Sequence, residues 1–236
     1  MSAGRSRSLR SQLVATFLAI AILPSALLGL LAGRYFLGKL REDVAARNQQ
    51  VALAVSGEVG RFLEAQLLHL RQIVLLVSAP GDAGRHVDEH LELHLQANPA
   101  LKSILLLDGR GVVGHVVPFD PDLRGIDLSR QPFVREARTL GEPTWSSATI
   151  SMQTGEPMVT LVVPGSPWTA VGYLDLEALR TIVERTRAGP TGDAAVIDSD
   201  GTVIAHRDRR LVREQVNVKE PGIVADALAG RDGTAE

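Results

Sequence analysis

Apolar and polar positions along this chain change period repeatedly, and each change marks an element. Ser11–Gly33 carries no charge and is mostly Leu, Ala, Ile, Val and Phe. At 1.5 Å per residue a helix of that length covers the ~30 Å hydrocarbon core of a bilayer. Pro24 removes one backbone donor within it and predicts a kink, which membrane helices tolerate. The run exceeds the roughly 7–15 apolar residues of a cleaved leader. Leu30-Leu31-Ala32-Gly33-Arg34 is also a poor cleavage site, so 11–36 reads as a retained transmembrane helix. Arg5, Arg7 and Arg10 precede it; Arg34, Lys39, Arg41 and Arg47 follow it. With these charges nearly even, the long domain sets the orientation: a cytoplasmic tail over 1–10 and an extracytoplasmic remainder.

From Gly38 onward the period becomes helical. Val44, Val51, Val55, Val59, Phe62, Leu63, Leu67, Leu70, Val74 and Val77 share one face. This predicts a stalk helix over 38–79, ended by Pro80-Gly81-Asp82. Its stripe can pack on the domain, on a second stalk in a parallel homodimer, or on both in turn. A second helix, about Arg85–Gln96, places Val87, Leu91 and Leu95 on one face.

The pattern then turns to strands. Lys102–Asp108 and Val112–Val117, joined by Gly109-Arg110-Gly111, predict a hairpin. Phe119–Leu128 is rich in Pro, Asp and Gly and reads as a loop. Ser129 is placed to cap a helix over Gln131–Leu140, with Pro132 in its first turn and Gly141 past its end. Strands are expected over Thr144–Met152, Met158–Val163 and Ala170–Leu174, and a helix over Leu176–Arg187. After Gly189-Pro190-Thr191-Gly192 a second hairpin follows, Ala194–Ile197 and Thr202–His206, with Asp198-Ser199-Asp200-Gly201 as its turn. It echoes the first as a weak internal repeat. A short helix is expected near Pro221–Ala229. A sheet matching the first would need further strands, so the second sheet reads as truncated at Glu236.

Composition narrows the chemistry. The formal charge of −2 and the lack of a basic, aromatic-interleaved cluster argue against a nucleic-acid partner. The absence of cysteine excludes disulfides, thiol catalysis and cysteine-bound zinc. There is no Gly-rich phosphate loop, nucleophile elbow or His-Glu-x-x-His, so no enzyme activity is expected in these residues. No cofactor is implied. His86, His90 and His94 share a helical stripe flanked by Glu89 and Glu92. Such spacing can chelate a transition metal or sense pH, and a solvated polar flank explains it as well.

Asp127-Leu128-Ser129-Arg130-Gln131-Pro132-Phe133, Trp145-Ser146-Ser147, Thr154-Gly155-Glu156-Pro157, Leu161-Val162-Val163-Pro164 and Gly172-Tyr173-Leu174-Asp175-Leu176 occur in a characteristic order. With Ile197-Asp198-Ser199-Asp200-Gly201 they resemble the double Cache (PAS-like) extracytoplasmic sensor domains of bacterial membrane receptors. The resemblance covers about Leu40–Glu236. It implies an α+β fold: a transmembrane helix, a stalk helix, a membrane-distal PAS-like ligand-binding unit over 85–188 and the start of a second over 189–236. It also implies a ligand site at Arg130, Phe133, Trp145, Ser147, Tyr173 and Asp175. There a guanidinium would hold a carboxylate, a carboxylate an ammonium, and aromatics would exclude water. Pro132 departs from the large aromatic usual in the amino-acid binders. Asp175 can equally cap the following helix, and Trp145 can be core.

The expected role is the sensor input of a bacterial inner-membrane receptor for an amino acid, amine or carboxylate. A histidine kinase ranks first as output, ahead of a diguanylate cyclase or a chemotaxis transducer. The alternatives are a membrane-tethered, non-signalling solute binder and a metal or pH responder.

Overall fold

The helical periodicity is realised as helix α1, Leu9–Ser78, with Pro24 inside it. The computed structural model describes residues 9–79, 86–151, 157–185, 193–219 and 222–230, and the chain divides into units 1–48 and 49–236. In the first unit the described apolar side chains of Leu27, Leu28, Leu30, Leu31, Tyr35 and Phe36 are exposed. Many side chains of the expected span 11–36 lie outside the described residues. Among the described residues, no helix is long and apolar enough to cross a membrane. The expected stalk terminator, Pro80-Gly81-Asp82, also lies outside them, and α1 ends two residues before it.

In the second unit, helix α2 (Val87–Ala97) leads into an antiparallel hairpin, β1 (Leu101–Leu107) and β2 (Val113–Val117). Helix α3 (Pro132–Leu140) and strands β3 (Thr144–Trp145), β4 (Thr149–Ile150), β5 (Pro157–Val163) and β6 (Thr169–Asp175) follow. The sheet runs β2-β1-β6-β5-β3, with β4 also on β5, and every pairing is antiparallel. The fold class is therefore α+β, with a long helix and antiparallel sheets.

Both faces of the central strands are covered, which explains why Ile104–Leu107 and Leu161–Val163 read as unbroken apolar runs. On one face Leu70, Ile73, Val74 and Val77 of α1 and Val87 and Leu91 of α2 pack on Ile104, Leu106, Leu161 and Ala170. On the other, Val134 and Ala137 of α3 pack on Leu105, Leu107, Val162 and Val171. Burying each Leu, Ile or Val side chain is worth roughly 1.5–3 kcal/mol. Val55, Leu70, Ile73, Val74 and Val77 of α1 are thus buried within the chain.

Two local expectations are corrected. Helix α3 is not capped by Ser129; Gln131 is the N-cap and makes no side-chain cap, while Gly141 closes the helix in the left-handed region at φ +70°. The Ser129 amide instead donates to Asp127 Oδ1 at 2.8 Å. The single strand expected over Thr144–Met152 is interrupted at 146–148: Ser146 still meets Thr160 of β5, and the next two residues bond elsewhere. Ala148 N donates to Asp198 Oδ2 (3.1 Å), and Ser147 Oγ to Asp200 Oδ2 (2.5 Å).

Helix α4 (Glu177–Arg185) leads to the second hairpin, β7 (Ala195–Ile197) and β8 (Val203–His206). Helix α5 (Arg209–Arg213), unforeseen in the periodicity, starts at Asp208, whose carboxylate accepts the Arg210 amide; α6 (Gly222–Leu228) follows. The internal repeat is real in its hydrogen bonds. Asp108 Oδ1 accepts from Arg110 N (2.8 Å) and Val112 N (3.0 Å), as Asp198 Oδ1 does from Asp200 N (3.0 Å) and Thr202 N (2.9 Å). Gly111 and Gly201 follow at φ +94° and +83°, a conformation glycine adopts at little cost. Each turn is then bridged by a later segment: Val112 by Asp127, and Thr202 by Asn217.

Candidate functional site

Strand register brings polar residues together on the α3 face of the sheet. Tyr173 of β6 lies opposite Ser103 of β1 and Thr160 of β5, and Ser146 bonds the Thr160 backbone from the far side. Ser146, Thr160, Tyr173 and Ser103 therefore form one row across the sheet. Above it Phe133, from the first turn of α3, and Leu123 and Leu128, from the loop before it, pack against the same apolar cluster as Tyr173. Burial raises the Tyr173 phenol, so it stands there as a neutral hydroxyl. Among the described residues neither the Ser103 nor the Tyr173 hydroxyl has a hydrogen-bond partner. By contrast Ser146 Oγ accepts from Thr160 N (2.9 Å) and donates to Ser147 O (2.9 Å).

Asp175 continues the same strand face beyond Tyr173. Its Oδ1 accepts the Glu177 amide at 2.8 Å, at the start of α4, and its Oδ2 meets Lys102 Nζ at 2.9 Å. Lys102 sits where the β1–β6 register shifts between Leu101 and Ser103. That extra residue turns a side chain otherwise due on the opposite face toward Asp175.

The other expected site residues are dispersed. Arg130 is exposed, beside Asp127, whose carboxyl is held low first by its bonds from Ser129 and then by Arg130. Trp145 pairs in register with Leu161 and packs with the α1-side cluster, on the face opposite Phe133 and Tyr173. Ser147 is turned outward onto Asp200. Phe133, Tyr173 and Asp175 share one face, whereas Trp145 and Ser147 do not join them.

Neither a family model nor a curated protein matches the sequence. Solved structures do match. The ligand-binding domain of the Pseudomonas fluorescens chemoreceptor CtaA, in complex with L-isoleucine, superposes with a TM-score of 0.60 at 21% identity, covering 78% of this chain and 76% of that one. The corresponding domain of Campylobacter jejuni chemoreceptor Tlp3, in complex with 4-methylisoleucine, gives 0.60 at 14% identity, with 79% and 78% covered. That of the Pseudomonas aeruginosa amino acid chemoreceptor PctC, in complex with GABA, gives 0.58 at 19%, with 72% and 77% covered. The fold is that of chemoreceptor ligand-binding domains.

Within this chemoreceptor-type fold two further places hold charged groups. An open cleft, about 420 Å³ including the solvent at its mouth, lies between the Pro157 and Asp175 strand ends and β8–α5. Its cations are engaged: Arg180 by Glu177 and Glu184, and Arg209 by Glu177 at 3.5 Å. Of the histidines, His94 meets His69 of α1 rather than completing a stripe. The rings lie 5.0 Å apart edge-on, and His69 Nε2 is 3.2 Å from the His94 carbonyl oxygen. His86 is paired with Glu89 at 3.3 Å. Among the described residues no three His, Asp or Glu side chains are grouped to hold a metal. Lys102, Ser103 and Thr160 escaped sequence reasoning. Alternation along β1 places Lys102 on the α1 side, and no sequence signal marks the bulge.

Proposed function

We propose that this chain is the extracytoplasmic input of a bacterial membrane receptor and that it binds a small molecule on the α3 face of its first sheet. One observation carries the reading. On that face Phe133, Leu123 and Leu128 form an apolar wall beside the Ser103 and Tyr173 hydroxyls, which have no partner among the described residues. A pocket built of apolar walls with a few convergent polar groups is how proteins hold small ligands. The shared fold supports the role, since the matching structures are ligand-binding domains of chemoreceptors, solved with L-isoleucine, GABA or 4-methylisoleucine. The uncharged run Ser11–Gly33, with exposed Leu27, Leu28, Leu30 and Leu31, supports a single membrane anchor ahead of the sensing unit. Parallel pairing through α1 is proposed for the portion ahead of Val51, where Val44 is exposed.

The test is a thermal-shift screen of the full chain in detergent against amino acids, amines and small carboxylates. A hit is expected to raise Tm and to bind about tenfold or more weakly to Phe133→Ala, whose ring forms the wall. A screen without a hit, or a hit indifferent to Phe133→Ala, overturns the proposal.

A further inference from the structure

The charge pattern of the α3 face restricts what it can hold, an inference that rests on the sensing role proposed above. Asp175 is the carboxylate that continues the Tyr173 side of β6. Both of its oxygens are engaged, Oδ1 by the Glu177 amide and Oδ2 by Lys102 Nζ at 2.9 Å. A ligand ammonium arriving there meets an ammonium already in place. The remaining polar groups are of the opposite kind. Lys102 has three N–H donors and no acceptor, and the Ser103 and Tyr173 hydroxyls can each donate. No described hydrogen bond uses either hydroxyl proton. The hydroxyls can donate or accept, and Lys102 keeps N–H donors beyond the one given to Asp175, so the cation is on the protein's side.

We infer that the α3-face site is selective for a small organic acid without an ammonium group, its carboxylate meeting Lys102, Ser103 and Tyr173, and that Lys102 is the residue that excludes amino acids. The bulge in β1 is the structural cause. With regular alternation Lys102 would point to the α1 side, and Asp175 would stand open to an incoming ammonium. The side chain is 61% exposed, against 27% for Asp175, so the ammonium covers the carboxylate from the solvent side and has room for a second anionic partner. Two like ammonium charges within ~4–6 Å of each other disfavour the charged form of both. A carboxylate there forms a charge-assisted bond.

The experiment compares matched pairs that differ by one group: L-alanine against L-lactate, and L-valine against 2-hydroxyisovalerate. Each is titrated calorimetrically into the full chain in detergent. The hydroxy acid of a pair is expected to bind at least tenfold tighter than its amino acid. Lys102→Met, which keeps the stem and removes the charge, is expected to lose that preference or reverse it as Asp175 is released. Lys102→Arg is expected to retain it. Amino acids binding the wild type as well as or better than their hydroxy acids, with Phe133→Ala weakening them, overturns this inference and leaves the sensing role standing. An acid preference that Lys102→Met does not change also overturns it. Absence of binding by both series to the wild type overturns the sensing reading and this inference together.

Discussion

Gly172 is the most demanding position in the sheet. It lies in the middle of β6, between Ile104 of β1 and Leu161 of β5, and faces α1. A Cβ added there would sit 2.8 Å from Leu70 Cδ2 and 2.9 Å from Leu101 Cδ2. Unstrained carbon contacts need about 3.5–4.0 Å. Leu70 is 0% exposed and Leu101 3%, so neither side chain can swing into solvent. Overpacking of this kind costs about 1–3 kcal/mol. Removing a glycine also lowers the entropy of the unfolded chain, returning about 0.4–1 kcal/mol. The net expectation for Gly172→Ala is a loss of roughly 0.5–2 kcal/mol. Leu70→Ala alone, leaving a cavity over the sheet, is expected to cost about 2.7–5 kcal/mol. In the double variant the new methyl occupies space that the Leu70 δ carbons vacate, so the combined loss should fall about 1 kcal/mol or more below the sum of the singles. The assay is urea unfolding of the full chain in detergent, followed by intrinsic fluorescence. The chain has two tryptophans, Trp145 and Trp168, and both pack on this core. Additivity within ~0.3 kcal/mol, or a Gly172→Ala variant as stable as wild type, would show that α1 is not seated over Gly172.

Other expectations follow from the same contacts. His94 has its pKa lowered by burial first, then by His69 across from α1 and His90 on its own helix. The unfolded chain therefore binds more protons near pH 6, so stability is complete above the ordinary histidine value of 6.5 and is lost as pH falls through the lower folded value. His94→Gln should flatten the dependence of Tm between about pH 7.5 and 5.5, and an unchanged slope would refute the assignment. Ser147→Ala removes the bond to Asp200 and should cost about 1 kcal/mol. Faster amide exchange should then appear in the Asp198–Gly201 turn and not in the Asp108–Gly111 turn; equal change in both would contradict the bridge.

The apolar pattern revealed most of the fold because the strands and helices here are each governed by one dominant periodicity. Ile104–Leu107 read as a hairpin strand because Gly109-Arg110-Gly111 and a second apolar run followed it, and its burial on both faces fits its place inside the sheet. What stayed hidden depends on contacts far apart in the chain. The break in the Thr144–Met152 strand is made by Asp198 and Asp200, some fifty residues on. Helix α5 is too short for a period and is held by its Asp208 cap. Among the site residues, Phe133 in the first turn of α3 and Tyr173 on β6 were expected from the family resemblance alone, and both pack against the cluster on the α3 face. Trp145 was placed with them although register with Leu161 sends it to the opposite face. Parity along a two-residue strand cannot be read until its partner is known.

The bridge at 146–148 and the seating of α1 together have a mechanical consequence. Val74 and Leu70 of α1 are built into the core of the first sheet, while Val55 of the same helix packs with Leu179, Val183 and Ala205 beside the second hairpin. Trp145 touches both clusters. A helix clamped at two places along its length is stiff to stretching, since its rise is fixed by its own hydrogen bonds. Any shift of the first sheet against the second hairpin must therefore appear as sliding, rolling or bending of α1. The helix works as a spline shared by two gears, and neither can turn without loading it.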